Sequence, residues 1–156
     1  MAPEQAELLK DLAAEEVQRI LAFGTRIALP SGASLFQLGD PAERLFLIER
    51  GRIRLTLPMR VRGREENVVV EERVAGQTVG WSALIPPHKF TLAATAPLET
   101  EVIALPREEL RKHFAAHPAV GYKVTLNLAV VIGHRLQLFQ AMWLREMQRT
   151  VEKHSE

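Results

Sequence analysis

The residues best placed to do chemistry lie in Val79-Gly80-Trp81-Ser82-Ala83-Leu84 and in the segment that follows, Pro86-Pro87-His88-Lys89-Phe90-Thr91. Gly80 permits a close backbone approach, and the amides of Ser82 and Ala83 after it can point at an anion. Lys89 adds a positive charge and Thr91 a hydroxyl, so the stretch can hold a small anionic group. Trp81 and Phe90 set aromatic surface beside it. If the chain binds a small molecule, this is where it is expected.

The histidines offer less. His113 and His117 are four apart, which puts both on one helix face at a spacing that suits a metal. No third ligand is evident and Pro118 ends that helix, so the pair reads as structural and no metal is expected. His88 stands near the mouth of the expected pocket. A ligand contact or a bond to haem iron is conceivable there, but an exposed loop histidine is the commoner finding. No serine-nucleophile motif, phosphate-binding loop or pair of catalytic carboxylates occurs, so an enzyme has little support. The absence of cysteine excludes disulfides, thiolate catalysis and thiolate metal sites.

The elements that must position these residues fit one domain spanning 1–156. Its net charge of +1 argues neither for nor against nucleic acid, for which a concentrated patch is needed. The basic runs Arg60-Val61-Arg62-Gly63-Arg64 and Arg107 to Lys112 are offset by acidic neighbours and read as solvated surface. The N-terminal residues Met1 to Glu7 lack the basic and apolar regions of a signal peptide. No apolar run reaches the length of a membrane span. The expectation is a cytoplasmic protein without membrane contact.

Residues 1–23 read as N-terminal helix, with Leu8, Leu9, Leu12, Val17, Ile20 and Leu21 apolar from Glu4 to Phe23. The spacing slips between Leu12 and Ala14, so one helix or two fits. From 24 to 105 the pattern is that of short strands: Arg26 to Leu29, Ser34 to Leu38, Leu45 to Ile48, Arg52 to Leu57, Asn67 to Val74, Thr91 to Ala96 and Thr100 to Leu105. Turns at Leu29-Pro30-Ser31-Gly32 and Gly39-Asp40-Pro41, and a polar hairpin tip at Arg62 to Glu66, separate them. Ile53, Leu55 and Leu57 alternate as a half-buried antiparallel strand does. The prediction is a mainly β chain with flanking α, an antiparallel, jelly-roll-like β-roll. Residues 106–117 predict a short helix, with Pro106 at its first position, and 118–152 a long one of about 50 Å.

A helix that long cannot lie along so small a domain for its whole extent. Leu126, Val130, Gly133, Gln137, Gln140, Leu144, Met147 and Val151 recur at steps of four and three. A second stripe runs through Leu128, Val131, Ile132, Leu138, Phe139 and Met142. Two apolar faces imply one turned to the domain and one to a partner, and the favoured partner is a second copy of the chain. Another protein partner is compatible with the same face.

This order of elements resembles the cyclic-nucleotide-binding domain family, as seen in cyclic AMP receptor protein and Fnr-like sensor domains. The match rests on Leu35-Phe36-Gln37-Leu38-Gly39-Asp40-Pro41, on Leu45-Phe46-Leu47-Ile48-Glu49-Arg50-Gly51-Arg52-Ile53, on Gly76 and Gly80, and on Arg135-Leu136-Gln137. It covers about Leu8 to Arg149. The resemblance implies a sensory module that passes the state of its pocket to the long helix. It also implies a phosphate cassette with a glutamate after the glycine and an arginine followed by a small hydroxyl residue. Here Trp81 stands where the glutamate belongs, Phe90 stands for the arginine and Thr91 for the hydroxyl residue. Lys89 is one residue away, and a lysine does not reproduce the two parallel bonds of a guanidinium to phosphate. The pair that reads the purine falls on Phe139 and Gln140.

The ligand-binding candidates are therefore Gly80, Trp81, Ser82, Ala83, Lys89, Phe90, Thr91, Phe139 and Gln140. Two readings stand side by side: a pocket for a flat, largely apolar molecule with a small anionic end, and a pocket filled by its own side chains in a ligand-free interaction or scaffold protein. Cyclic AMP or cyclic GMP ranks behind both, and no cofactor is implied. Transcription regulators of the family carry a helix-turn-helix domain after the long helix, whereas this sequence stops at Glu156, so direct DNA binding is not expected.

Overall fold

The computed structural model describes residues 5–155. Glu4, where the first helical segment was expected to begin, and the termini of the 1–156 span lie outside them. The N-terminal segment is two pieces, a 3-10 turn at Glu7–Leu9 and helix α1 at Ala14–Ala22. They are separated near Asp11, whose φ is 67°. The spacing leaves one helix or two open, and the chain forms one short turn and one helix.

Eight strands follow: β1 (Thr25–Leu29), β2 (Ser34–Phe36), β3 (Arg44–Arg50), β4 (Arg52–Val61), β5 (Arg64–Val74), β6 (Thr78–Val79), β7 (Ala93–Thr95) and β8 (Thr100–Pro106). They form two four-stranded sheets, ordered β1-β8-β3-β6 and β2-β7-β4-β5, with antiparallel pairing throughout. This is the predicted roll. Leu45 to Ile48 in β3 is buried along its whole run. One side looks into the roll, where Phe46 meets Phe36, and α1 and α2 pack on the neighbouring β8. A strand covered on both faces reads as continuously apolar rather than alternating.

Strand β4 alternates as expected, with Ile53 and Leu55 buried and Arg54 exposed. A bulge between Leu55 and Thr56 breaks the alternation, and Thr56 is buried as well. The β4–β5 hairpin closes on Arg62 and Gly63 alone, at φ 52° and 79°. Two positive φ values form the tight turn that matches strand twist, so β5 starts at Arg64, earlier than the sequence indicated.

Pro106 is the last residue of β8, opposite Arg44, and caps α2 at Arg107–Ala116. His117 breaks the path before α3 at Pro118–Ser155, 38 residues or about 57 Å long. The first part of α3 is held to the N-terminal segment. Asn127 Nδ2 donates to the carbonyls of Leu8 and Lys10, both at 2.9 Å, and Lys123 Nζ to that of Asp11 at 3.1 Å. Val120, Val124, Leu128 and Val131 are buried there. Beyond Arg135 the helix leaves the roll, and Leu136, Leu144 and Val151 are each about 60% exposed, with Trp143 at 61%.

Candidate functional site

Strand β6 ends at Val79, and Gly80 takes a left-handed conformation, φ 82°. A Cβ at this position would sit 3.2 Å from both the Phe46 and Phe90 rings. Only glycine combines that φ with so close an approach. Trp81–Leu84 then makes a single 3-10 turn. Within it the Ala83 amide donates to the Gly80 carbonyl at 3.1 Å and the Ile85 amide to that of Ser82 at 3.2 Å. The Ala83 amide, expected to face an anion, is thus engaged in the turn itself.

Gly80, Trp81, Ser82, Phe90 and Thr91 line one cavity, together with Phe36, Leu55, Leu92 and Arg135. The cavity measures about 10 Å³, roughly room for one water. What fills it is aromatic. The Phe36 and Phe90 rings stack with centroids 3.8 Å apart at 11°, and Phe46 lies 5.9 Å from Phe36. Of the other candidates, Ala83 is a buried member of the turn and Lys89 is exposed, its backbone bridged to Pro41. Phe139 and Gln140 are exposed on α3 past Arg135 and do not line this cavity.

Arg135 is the residue that sequence reasoning used for the resemblance but did not place in the site. Its position carried a signal: it follows Leu128, Val131 and Ile132 by seven, four and three residues, so a charge sits on the buried stripe of α3. The guanidinium is held by Glu71, with Arg135 Nε donating to Glu71 Oε2 at 2.8 Å. Glu71 Oε1 also accepts from Arg73 Nη1 at 3.1 Å. Arg73 Nη2 pairs with the Glu7 carboxylate, whose Oε1 accepts the Thr78 amide at 2.8 Å. A chain of charges therefore runs from the N-terminal turn through β5 to α3. Burial pushes the Arg135 pKa below its usual value, against the pull of Glu71, but a guanidinium stays charged at neutral pH. Its Nη2 is buried and has no hydrogen-bond partner among the described residues.

The histidine pair lies apart from this site. His113 and His117 rings are 4.6 Å apart, and His113 Nε2 is 4.0 Å from Glu16 Oε2. Burial first, and His117 second, lower the His113 pKa. No group of three metal-ligating side chains occurs among the described residues. His88 is half-buried, its Nδ1 3.3 Å from the Ser82 carbonyl.

Comparison with known proteins bears on the whole arrangement. Residues 26–117 match the family profile described as the cyclic nucleotide-binding domain. Cyclic AMP receptor protein of Thermus thermophilus is 29% identical over 130 residues, 83% of this chain and 57% of that protein. Glutaminase 1 of Bradyrhizobium diazoefficiens is 28% identical over 129 residues, 83% of this chain but 20% of the relative. The chain thus spans a fifth of one of these relatives and just over half of the other. Among solved structures, the Thermus thermophilus catabolite activator protein superposes with a TM-score of 0.73 at 27% identity, covering 91% of this chain and 63% of that one. None of the described helices is long and apolar enough to cross a membrane.

Proposed function

Since the chain belongs to the cyclic nucleotide-binding domain family of regulatory and sensor modules, we propose that it is a sensory module whose ligand is not a cyclic nucleotide. The site is the collapsed cavity at Gly80, Trp81, Ser82, Phe90 and Thr91. It opens by parting Phe36 from Phe90 and takes a flat, largely apolar molecule with a small acceptor group. One observation carries this reading: Arg135 lines the cavity and has a buried donor, Nη2, with no hydrogen-bond partner among the described residues. A buried donor left unpaired costs about 1–3 kcal/mol or more when charged, and a ligand acceptor would remove that cost. Trp81 and Phe90, standing where the resemblance calls for a carboxylate and a guanidinium, weigh against a cyclic phosphate and ribose.

Arg135 also supplies the route to the long helix. A ligand that draws Arg135 away from Glu71 would loosen the link between α3 and β5, and so bias the helix between two arrangements. Phe139 and Gln140, beyond Arg135 on the same helix, would meet the ligand or its vicinity once α3 shifts. Lys89 would add a charge at the mouth. The exposed stripe on the distal helix supports a homodimer through α3 as the output. Sedimentation at micromolar concentration should give a dimer, and Leu144→Asp should give a monomer; a wild-type monomer would remove the dimer.

Mass spectrometry of small molecules released from the purified protein, followed by melting with each identified compound, tests the sensor. A true ligand raises the melting temperature of the wild type and not of Arg135→Gln. The cavity of about 10 Å³ favours a second reading, a ligand-free interaction protein that uses the same helix. No released molecule and no shift with any compound of a metabolite library would establish that second reading instead.

A further inference from the structure

The turn that closes the inner cavity also borders a far larger hollow. A cleft of about 380 Å³ lies between the end of the turn, α2 and the first part of α3. That is within the range of small-molecule sites, roughly 300–1,000 Å³. Its walls are apolar, with Leu84 and Ile85 from the turn, Phe114 from α2 and Leu128 from α3. Two guanidinium groups, Arg107 and Arg111, stand among them.

The charges are set unequally. Arg107 Nη1 donates to the Ala42 carbonyl at 2.7 Å and lies 3.5 Å from that of Ala83, so its head is fixed to the roll. Neutral carbonyls do not cancel its charge. Glu108 is the one carboxylate within ion-pair reach of both arginines among the described residues. It lies 3.4 Å from Arg111 Nη1 and 3.8 Å from Arg107 Nε, and it is well exposed. Two arginines against one carboxylate leave a net charge of about +1 beside an apolar cavity. That balance complements a single negative charge on an apolar body. His88 and Thr125 add polar atoms, and the contact of His88 Nδ1 with the Ser82 carbonyl ties its ring back to the turn.

We propose that this cleft is a second binding site, for a small monocarboxylic acid with an aromatic or branched apolar body. The carboxylate lies between Arg107 and Arg111, and the body rests on Leu84, Ile85, Phe114 and Leu128. The proposal does not depend on the inner cavity or on its ligand. An occupant would touch the turn, α2 and α3 at once and would hold the bend at His117 between the two helices.

Calorimetric titration of the full chain with 1-naphthoate, and with the neutral 1-naphthalenemethanol, tests it. The acid should bind at least tenfold more tightly than the alcohol. Arg111→Gln should weaken the acid by about tenfold or more, the worth of a charge-assisted hydrogen bond, and leave the alcohol unchanged. Thr125→Trp should fill the cleft and abolish binding of the acid. If that variant does not melt cooperatively, Ile85→Trp fills the same space from the turn. No heat with millimolar naphthoate, equal affinity for acid and alcohol, or binding that survives the folded cleft-filling variant would overturn the proposal.

Discussion

The turn at Trp81–Leu84 borders two hollows of opposite character. Inside the roll, where backbone approach and family register both converge, about 10 Å³ remains. Outside it, where neither pointed, about 380 Å³ is open. The inner hollow holds a buried guanidinium locked into a network of Glu71, Arg73 and Glu7. The outer one has arginines that are only loosely countered. Aromatic side chains, Phe36, Phe90 and Trp81 among them, fill the inner side of the turn, and stability and openness fall on its two opposite faces. Substitutions at the inner side should therefore be costly, and those at the outer side cheap.

The largest effect is expected at Glu71. Glu71→Ala strips the carboxylate from two buried guanidinium groups at once, and breaking a buried pair costs about 3–5 kcal/mol. Urea unfolding should show a loss of roughly 4 kcal/mol, and a loss below 1 kcal/mol would mean that solvent already screens the network. Phe36→Ala comes next, at about 3 kcal/mol, because it removes one ring of the stack and leaves a cavity. The same variant sharpens the contrast in another way: it should open the inner hollow to small aromatic molecules, visible as a melting shift absent from the wild type.

Much of this contrast was legible in the chain and part was not. Strands declared themselves through alternation and turns, as in Arg52 to Leu57, whereas the slipped spacing of the N-terminal segment left one helix or two open. Gly80, Trp81 and Phe90 could be gathered at one site by counting along the family's order, and they do line one cavity. The Phe36–Phe90 stack could not, because it depends on how β2 and the end of the cassette meet across the roll. Arg135 was visible as a charge on an apolar stripe, yet its partner Glu71 lies in a strand whose facing side the sequence does not fix. The outer cleft joins three separate stretches of chain, and nothing local announces it.

Acidification should weaken the fold by a smaller amount through His113. Its pKa in the folded chain is lowered, mainly by burial. As pH falls below about 6.5, the unfolded chain takes up a proton that the folded chain refuses. Stability is therefore lost between that pH and the lower folded value, and is unaffected by this group above it. Urea midpoints of wild type and His113→Gln should diverge in their pH slope over that window, with the flatter slope in the variant. Parallel slopes would place the pH response elsewhere. Smallest of all, Arg111→Gln at the exposed rim of the outer cleft should change stability by less than about 0.5 kcal/mol.

The most direct measurement is the melting temperature of the whole chain with millimolar cyclic AMP and, separately, cyclic GMP. With Trp81 and Phe90 in the cassette and the cavity closed on Phe36, neither should move it. A ligand at a hundredfold excess over its dissociation constant stabilises by about 2.7 kcal/mol. A rise of that order with either nucleotide would contradict a site rebuilt away from the cyclic phosphate.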